Sequence, residues 1–235
     1  MHIGLIGGIG PAATEYYYRR LIDRNATAGT ALDLTIVHGN MQEFIANLSR
    51  GDSRQQAAVF AGLIRRLAAA GAEAVGITSM SGHFCIAELE PISSLPIINA
   101  IPAVNAAIRQ RKLKRLGILG TRTVMLNKVY GSITEAEIVA PDGEMLEQVH
   151  KNYVELAITG RLREEQRQVF FAAGQYLCKE QGTEAVILGG TDIGLAFDRE
   201  CGFPVVNCAE LHADSIWEWS MRKTDKKTNR IHRCF

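Results

Sequence analysis

The chain has 235 residues, of which 47% are hydrophobic and 22% are charged, and its formal net charge is +1. This length is enough for one large domain or two small domains with a buried core. The composition excludes a predominantly disordered chain. The balanced charge lacks the basic excess that marks a nucleic-acid-binding protein, so we expect no nucleic-acid partner.

The chain shows no signal for export or for a membrane segment. Met1 and His2 lead directly into an apolar run, without the basic region and the apolar length of a secretory signal. The uncharged segment 91–108 is interrupted by prolines and asparagines, which argues against a membrane helix. We therefore expect a cytoplasmic protein. The 5 cysteines are widely spaced without a Cys-x-x-Cys pair, so we expect free thiols and no metal site.

Short apolar runs alternate with amphipathic stretches in the first part of the chain. Residues 3–6 predict a strand, and Pro11 begins a predicted helix after a glycine turn. Residues 34–37 and 74–77 predict two more strands, and between them Ser53 is predicted to cap a helix that stops near Gly71. This alternation predicts an α/β fold with mostly parallel sheet and helices on both faces.

Three segments of the first half recur in the second half in the same order. The matching pairs are Gly4-Leu5-Ile6-Gly7 with Gly117-Ile118-Leu119-Gly120, residues 75–79 with residues 186–190, and Pro96–Asn99 with Pro204–Asn207. Small-residue turns after apolar strands also recur by chance in α/β proteins, but the shared order favours a true repeat. We therefore predict two pseudo-symmetric α/β domains with an interdomain cleft where their strand carboxyl ends face each other.

The repeat also predicts where the domains begin and end. Residues 1–103 together with about 208–220 form the first α/β half, and residues 104–207 form the second, with the junction near residues 102–106. Residues 221–235 are a basic C-terminal tail. A solvated tail is the simplest interpretation, and weak attachment to nucleic acid or to an anionic surface is the alternative.

The glycine turn after the first strand leaves three interpretations open. Gly8-Ile9-Gly10-Pro11-Ala12-Ala13 satisfies the G-x-G-x-x-A pattern of dinucleotide-binding folds. That pattern also needs an acidic residue at the end of the second strand, where this chain has His38-Gly39-Asn40. A helix N-terminus can instead bind a substrate carboxylate, or the turn can be purely structural. We expect no nicotinamide, pyridoxal phosphate or metal cofactor.

Small hydroxyl residues follow the third strand and its repeat. The two segments are Thr78-Ser79-Met80-Ser81-Gly82-His83 and Gly189-Gly190-Thr191-Asp192. Hydroxyl groups at strand ends can contact a ligand in a cleft, although they also commonly cap helices. His83 and His212 are either site residues or core and capping histidines. Arg122, directly after Thr121, is either a ligand clamp or part of a surface ion pair.

Taken in order, these motifs resemble the cofactor-independent aspartate/glutamate racemase family. The resemblance covers about residues 1–220 and rests on residues 4–14, Leu119–Arg122, residues 189–192 and His212-Ala213. It implies a two-domain pseudo-symmetric α/β fold, a homodimer, and a small carboxylic amino acid bound in the interdomain cleft. It also implies a reaction without pyridoxal phosphate or metal.

The resemblance fails at the two positions that carry the family's chemistry. Two cysteines, in the motifs C-N-T-x-H and G-C-T-E, remove and return the Cα proton on opposite faces of the substrate. Matching the motifs residue by residue places these cysteines at Ser79 and Gly190, so both thiols are missing. The asparagine falls on Met80 and the glutamate on Asp192. The remaining motif positions are occupied by Ser81, His83 and Thr191.

Two hypotheses follow for the function. The first is a racemase-family protein whose cleft accepts a small carboxylic amino acid and whose altered reaction uses Ser79, His83 or Asp192 as acid–base group. The second is a binding or regulatory protein that holds the acid without turnover. In both, conventional two-thiol racemisation is not expected, and restoring it should require cysteine at both 79 and 190. The predicted binding residues are Ile9, Gly10, Asn40, Met80, Ser81, Thr121 and Thr191.

Overall fold

The structure, a computed structural model, describes residues 1–128 and 131–222. Within these residues the chain folds into two four-stranded parallel sheets flanked by helices. This is the predicted α/β architecture with two related halves. Of the basic segment 221–235, all but Met221 and Arg222 lies outside the described residues.

The first sheet contains the strands near the N-terminus. They are β1 (Ile3–Gly7), β2 (Leu34–His38), β3 (Ala74–Ile77) and β4 (Ile97–Ile98), in the spatial order β2-β1-β3-β4. The accompanying helices are α1 (Pro11–Ala28), α2 (Met41–Arg50), α3 (Ser53–Ala69), α4 (Ile86–Leu89) and α5 (Ala100–Gln110). Short 3-10 turns, Ser81–Cys85 and Glu90–Ile92, flank α4.

The second sheet repeats this arrangement. Its strands are β5 (Arg115–Leu119), β6 (Glu137–Val139), β7 (Ala185–Leu188) and β8 (Val205–Asn207), in the order β6-β5-β7-β8. The helices that follow β5 in the chain are α6 (Arg122–Leu126), α7 (Gly143–Thr159), α8 (Glu164–Lys179) and α9 (Cys208–Ser220), with a 3-10 turn at Asp192–Phe197. In both sheets the first strand pairs in parallel with the second and the third. The repeat predicted from the sequence is therefore confirmed.

The start of α3 differs from the prediction by one residue. Asp52, not Ser53, is the N-cap, and its carboxylate accepts a hydrogen bond from the backbone N–H of Gln55 at 3.1 Å. Ser53 is the first helical residue, and its hydroxyl donates to Glu88 at 2.7 Å. Asp and Ser are comparable caps, so the choice depends on which side chain reaches a free N–H group.

The last helix returns the chain to the first sheet. Ala209, Ala213 and Ile216 of α9 lie in one apolar cluster with Ile3 and Leu5 of β1. Helix α9 thus packs against the first sheet, and the division into residues 1–103 with about 208–220 and residues 104–207 stays a prediction. The predicted junction at residues 102–106 lies inside α5. None of the described helices has the length and apolar character needed to cross a bilayer.

Candidate functional site

A cavity of about 90 Å³ lies where the carboxyl ends of the two sheets approach each other. The loops that follow β1, β3, β5 and β7 contribute Ile9, Ser79, Ser81, Thr121 and Asp192. The facing walls are two helices, one from each half, which contribute Met41, Phe44, Ile45 and Leu48 from α2 and Tyr153, Val154, Ala157 and Ile158 from α7.

A wider groove runs along the outer side of α7 and differs from this cavity in character. It has a volume of about 660 Å³ and includes the charged side chains of Arg122, Glu147 and Lys151. It shares only Val154 and Ile158 with the cavity and includes none of the polar strand-end residues. We therefore take the smaller cavity as the candidate site.

The predicted site residues divide into two groups. Those that line the cavity are Ile9, Ser79, Ser81, Thr121 and Asp192. Those that do not line it are Gly10, Asn40, Met80, His83, Gly190 and Thr191. The sequence reasoning missed the apolar walls and Tyr153. The spacing of Met41, Phe44, Ile45 and Leu48 is a helical signal that could have indicated the α2 wall.

Ser79 and His83 are close neighbours but do not form a nucleophile–base pair. The Ser79 hydroxyl accepts a hydrogen bond from the Gly82 N–H at 3.3 Å. His83 Nε2 accepts from the backbone N–H of Ala100 at 3.2 Å, so its Nδ1–H donates to the Ser79 carbonyl oxygen at 2.9 Å. Burial lowers the pKa of His83 to about 4. His83 is therefore neutral and ties the turn after β3 to α5, rather than activating the Ser79 hydroxyl.

His212 is likewise held in the core. Its Nδ1 lies 2.8 Å from the Tyr17 hydroxyl and its Nε2 lies 2.6 Å from the Ile98 carbonyl oxygen, to which Nε2–H donates. Burial, and secondarily the neighbouring His83, lowers the pKa of His212 to about 3. The two imidazole rings meet edge to face at 5.3 Å. These contacts favour the structural interpretation for both histidines.

Asp192 has the chemical features of an acid–base group. The residue is 6% exposed, the Tyr153 hydroxyl donates to its Oδ2 at a long 3.4 Å, and its Oδ1 has no partner among the described residues. Burial raises the pKa of Asp192 to about 6, against the opposing effects of its own backbone N–H, the Tyr153 hydroxyl and the Ala13 N–H. A Cβ atom on Gly10 would lie 3.5 Å from Oδ2. The Asp192 carboxylate therefore lies beside the start of α1. Binding of a substrate carboxylate at this helix N-terminus is one of the three interpretations of the glycine turn given above.

Tyr153 covers the position that matches the second family cysteine. A Cβ atom on Gly190 would lie 2.2 Å from the Tyr153 hydroxyl oxygen and 2.6 Å from its Cζ. Tyr153 is 5% exposed and lines the cavity. The space beside Gly190 is thus filled by a phenol from α7, and no sequence signal near Gly190 indicates this.

Four more of the predicted residues have structural contacts. Asn40 caps α2, because its side-chain oxygen accepts from the N–H of Gln42 at 2.9 Å. The Thr121 hydroxyl caps α6 by accepting from the Val124 N–H at 3.3 Å. Met80 is 1% exposed and belongs to the apolar core of the second half. Of the two interpretations of Arg122, the structure favours the surface ion pair, because the Arg122 guanidinium pairs with Glu147.

No cysteine among residues 1–128 and 131–222 lines the cavity. Cys85 and Cys208 are completely buried, and burial raises the pKa of each thiol to about 12. Both are therefore protonated at neutral pH. The described residues also contain no group of three His, Cys, Asp or Glu side chains placed to hold a metal ion.

The sequence matches the model of the Asp/Glu/Hydantoin racemase family over residues 6–216. The chain belongs to this family. The resemblance inferred from its motifs is therefore confirmed.

Solved structures of racemase-family proteins share the fold. A candidate Asp/Glu racemase from Yersinia pestis is 25% identical, with a TM-score of 0.79 over 94% of this chain and 100% of that chain. An aspartate racemase homologue from Pyrococcus horikoshii is 26% identical, with a TM-score of 0.78 over 94% and 99% of the two chains. The aspartate racemase of Picrophilus torridus, at 17% identity and a TM-score of 0.74 over 95% and 96%, shares the fold.

Proposed function

We propose that this racemase-family protein binds a small carboxylic amino acid in the cavity and moves the Cα proton on one face only, with Asp192 as the acid–base group. The observation that carries the proposal is the buried Asp192 carboxylate, whose Oδ1 has no partner among the described residues, in a cavity lined by no described thiol. Conventional two-thiol racemisation is not part of this function.

The chemistry follows from the state of Asp192. Its Oδ1 takes the proton from the substrate Cα, and the electron pair of the C–H bond stays on the substrate, delocalised into the carboxyl group. Asp192 then returns the same proton, or one exchanged with solvent, to the same face. A base is most effective when its pKa lies near the working pH, and burial brings the pKa of Asp192 to about 6. No cofactor is needed for this reaction.

Inversion would need a second group on the opposite face, and Ser79 is poorly suited to supply it. A serine hydroxyl requires an adjacent base to take part in proton transfer. The adjacent histidine, His83, donates to the Ser79 carbonyl oxygen, not to the hydroxyl, and its other ring nitrogen accepts from Ala100. We therefore expect exchange of the Cα hydrogen with retention of configuration.

The test is incubation of each proteinogenic amino acid, as separate enantiomers, with the protein in D2O. Proton NMR follows loss of the Cα–H signal, and chiral chromatography follows inversion. We expect exchange without inversion, and loss of exchange in Asp192→Asn. The matched control is Asp198→Asn, because Asp198 is a 63% exposed surface residue paired with Arg167 outside the cavity.

Three outcomes would overturn the proposal. Binding without exchange would favour the rival function, a binding or regulatory protein without turnover. Rapid inversion by the unmodified protein would show that proton transfer takes place on both faces. Exchange that survives in Asp192→Asn would remove Asp192 from its role.

We also propose that the protein is a homodimer, as the family resemblance implies. Sedimentation equilibrium on the full chain tests this, and a mass equal to the 25.8 kDa of one chain would contradict it.

A further inference from the structure

The walls of the cavity are unlike those expected for a dicarboxylic substrate. The side chains that α2 and α7 contribute are apolar apart from the Tyr153 hydroxyl, and they include Phe44, Leu48, Val154 and Ile158. On α2 the lining residues follow helical spacing, so one continuous face of this helix is directed at the cavity. A ligand in the cavity therefore meets hydrocarbon on two sides.

Three of the polar residues that line the cavity are deeply buried, whereas apolar residues extend to its mouth. Ser79, Ser81 and Asp192 are each at most 9% exposed. In contrast, Ile45 of α2 is 43% exposed and Ile158 of α7 is 61% exposed. A ligand whose acidic head group reaches the polar floor therefore directs its substituent between these two isoleucines.

The cavity offers no partner for a second negative charge. Among the described residues that line it, the only charged side chain is Asp192, which is itself acidic. Arg122, directly after the lining residue Thr121, pairs with Glu147, and Lys151 of α7 lines the outer groove and not the cavity. Arg50, the last residue of α2, donates to the Asn47 side-chain oxygen at 2.6 Å. An unpaired carboxylate among apolar side chains is strongly disfavoured because it loses its hydration.

We propose that the substrate class of this site is an amino acid with an apolar side chain, and that aspartate and glutamate are excluded by their second carboxylate. This inference rests on the proposed binding of a small carboxylic amino acid in the cavity. The inference goes beyond that proposal by naming the class of side chain that the bound amino acid carries. The specificity is set by α2 and α7, with Ile45 and Ile158 at the mouth.

Leucine and aspartate make a matched pair of probes. Their side chains have the same branched outline, and two methyl groups of leucine replace the two carboxylate oxygens of aspartate. Isothermal titration of the full chain with both enantiomers of each measures the preference directly. We expect leucine to bind at least about 10-fold more tightly than aspartate, since hydrophobic pockets discriminate by this order.

A charge placed at the mouth should change this preference. Ile158→Lys introduces an ammonium at a 61% exposed position that lines the cavity, so the fold should tolerate it. We expect aspartate to gain at least about 10-fold in affinity and leucine to lose affinity, because the lysine can pair with the second carboxylate. The matched control is Leu126→Lys, since Leu126 is 59% exposed and does not line the cavity. It should leave both affinities unchanged.

The outcomes separate this inference from the proposed function. If aspartate binds the unmodified protein as tightly as leucine, the apolar specificity is wrong, whereas binding of a small amino acid stands. If Ile158→Lys does not change the ratio of the two affinities, the mouth does not set specificity and the inference is overturned. If neither amino acid binds, both the proposed function and this inference fail.

Discussion

Gly190 is the position at which the structure predicts the largest effect from the smallest change. Replacing it with alanine adds one methyl group, which would lie 2.2 Å from the Tyr153 hydroxyl oxygen, whereas ordinary contacts begin at 3.4 Å. Tyr153 is 5% exposed and packs in the core of the second half. The ring therefore cannot move aside without displacing its neighbours, and its hydroxyl would separate from Asp192.

The cost of Gly190→Ala can be worked from these contacts. Overpacking a filled core costs about 1–3 kcal/mol. Weakening the hydrogen bond between the Tyr153 hydroxyl and the buried Asp192 adds a loss on the order of 1 kcal/mol. We expect a loss of about 3 kcal/mol in the free energy of unfolding, which corresponds to a fall in Tm of roughly 6–12 °C in a chain of this size.

Thermal and urea unfolding, followed by circular dichroism, measure this effect in a double-mutant cycle with Tyr153→Ala. In the Tyr153→Ala background the three atoms nearest to the methyl group are removed, so Gly190→Ala should become nearly neutral, with a coupling energy of about 2 kcal/mol or more. The control is Gly62→Ala in α3, where the added Cβ meets only Arg65 Nη2, at 3.8 Å, and the free energy of unfolding should not fall. Equal destabilisation in both backgrounds would refute the proposed contact.

Two further predictions concern titration and thiol reactivity. Burial raises the pKa of Asp192 from 3.8 to about 6, so its contribution to stability is complete below pH 3.8 and is lost as the pH rises to about 6. Urea unfolding should therefore show wild type losing about 3 kcal/mol relative to Asp192→Asn across this window. Both proteins contain the same buried histidines, so the contributions of those histidines cancel in this comparison. A difference in the free energy of unfolding that stays constant across this window would contradict the prediction. Peptide mass spectrometry after iodoacetamide treatment of the native protein should find Cys178 and Cys201 labelled and Cys85 and Cys208 protected; equal labelling would contradict their burial.

The strands and the floor of the cavity could be predicted because both depend on local sequence. Apolar runs followed by glycine or hydroxyl residues predict strand ends, and strand ends of a parallel sheet meet at one edge. For this reason Ser79 and Asp192 could each be placed at the carboxyl edge of its own sheet. The shared order of the repeated segments supplied the relation between the two sheets.

The walls of the cavity were missed because they depend on contacts between distant parts of the chain. The face of α2 has a periodic signal, but its direction is set by packing against α3 and the strands. Tyr153 belongs to a helix whose apolar residues could equally have faced a continuous core. Only the assembled fold brings its ring against Gly190, which is distant in sequence. The contact that favours a core role for His83 is likewise with a distant residue, Ala100.

The contact between Tyr153 and Gly190 also changes what would be needed to restore two-thiol chemistry. The motif comparison alone predicts that cysteine is required at both position 79 and position 190. In the fold, a side chain at 190 meets the phenol at 2.2 Å, so a thiol there has no room to face the cavity while Tyr153 is present. The missing thiols are therefore not two independent substitutions on an otherwise unchanged racemase site. Position 190, Tyr153 and Asp192 form one packed unit, and in the proposed function Asp192 is the group on that face that accepts the proton.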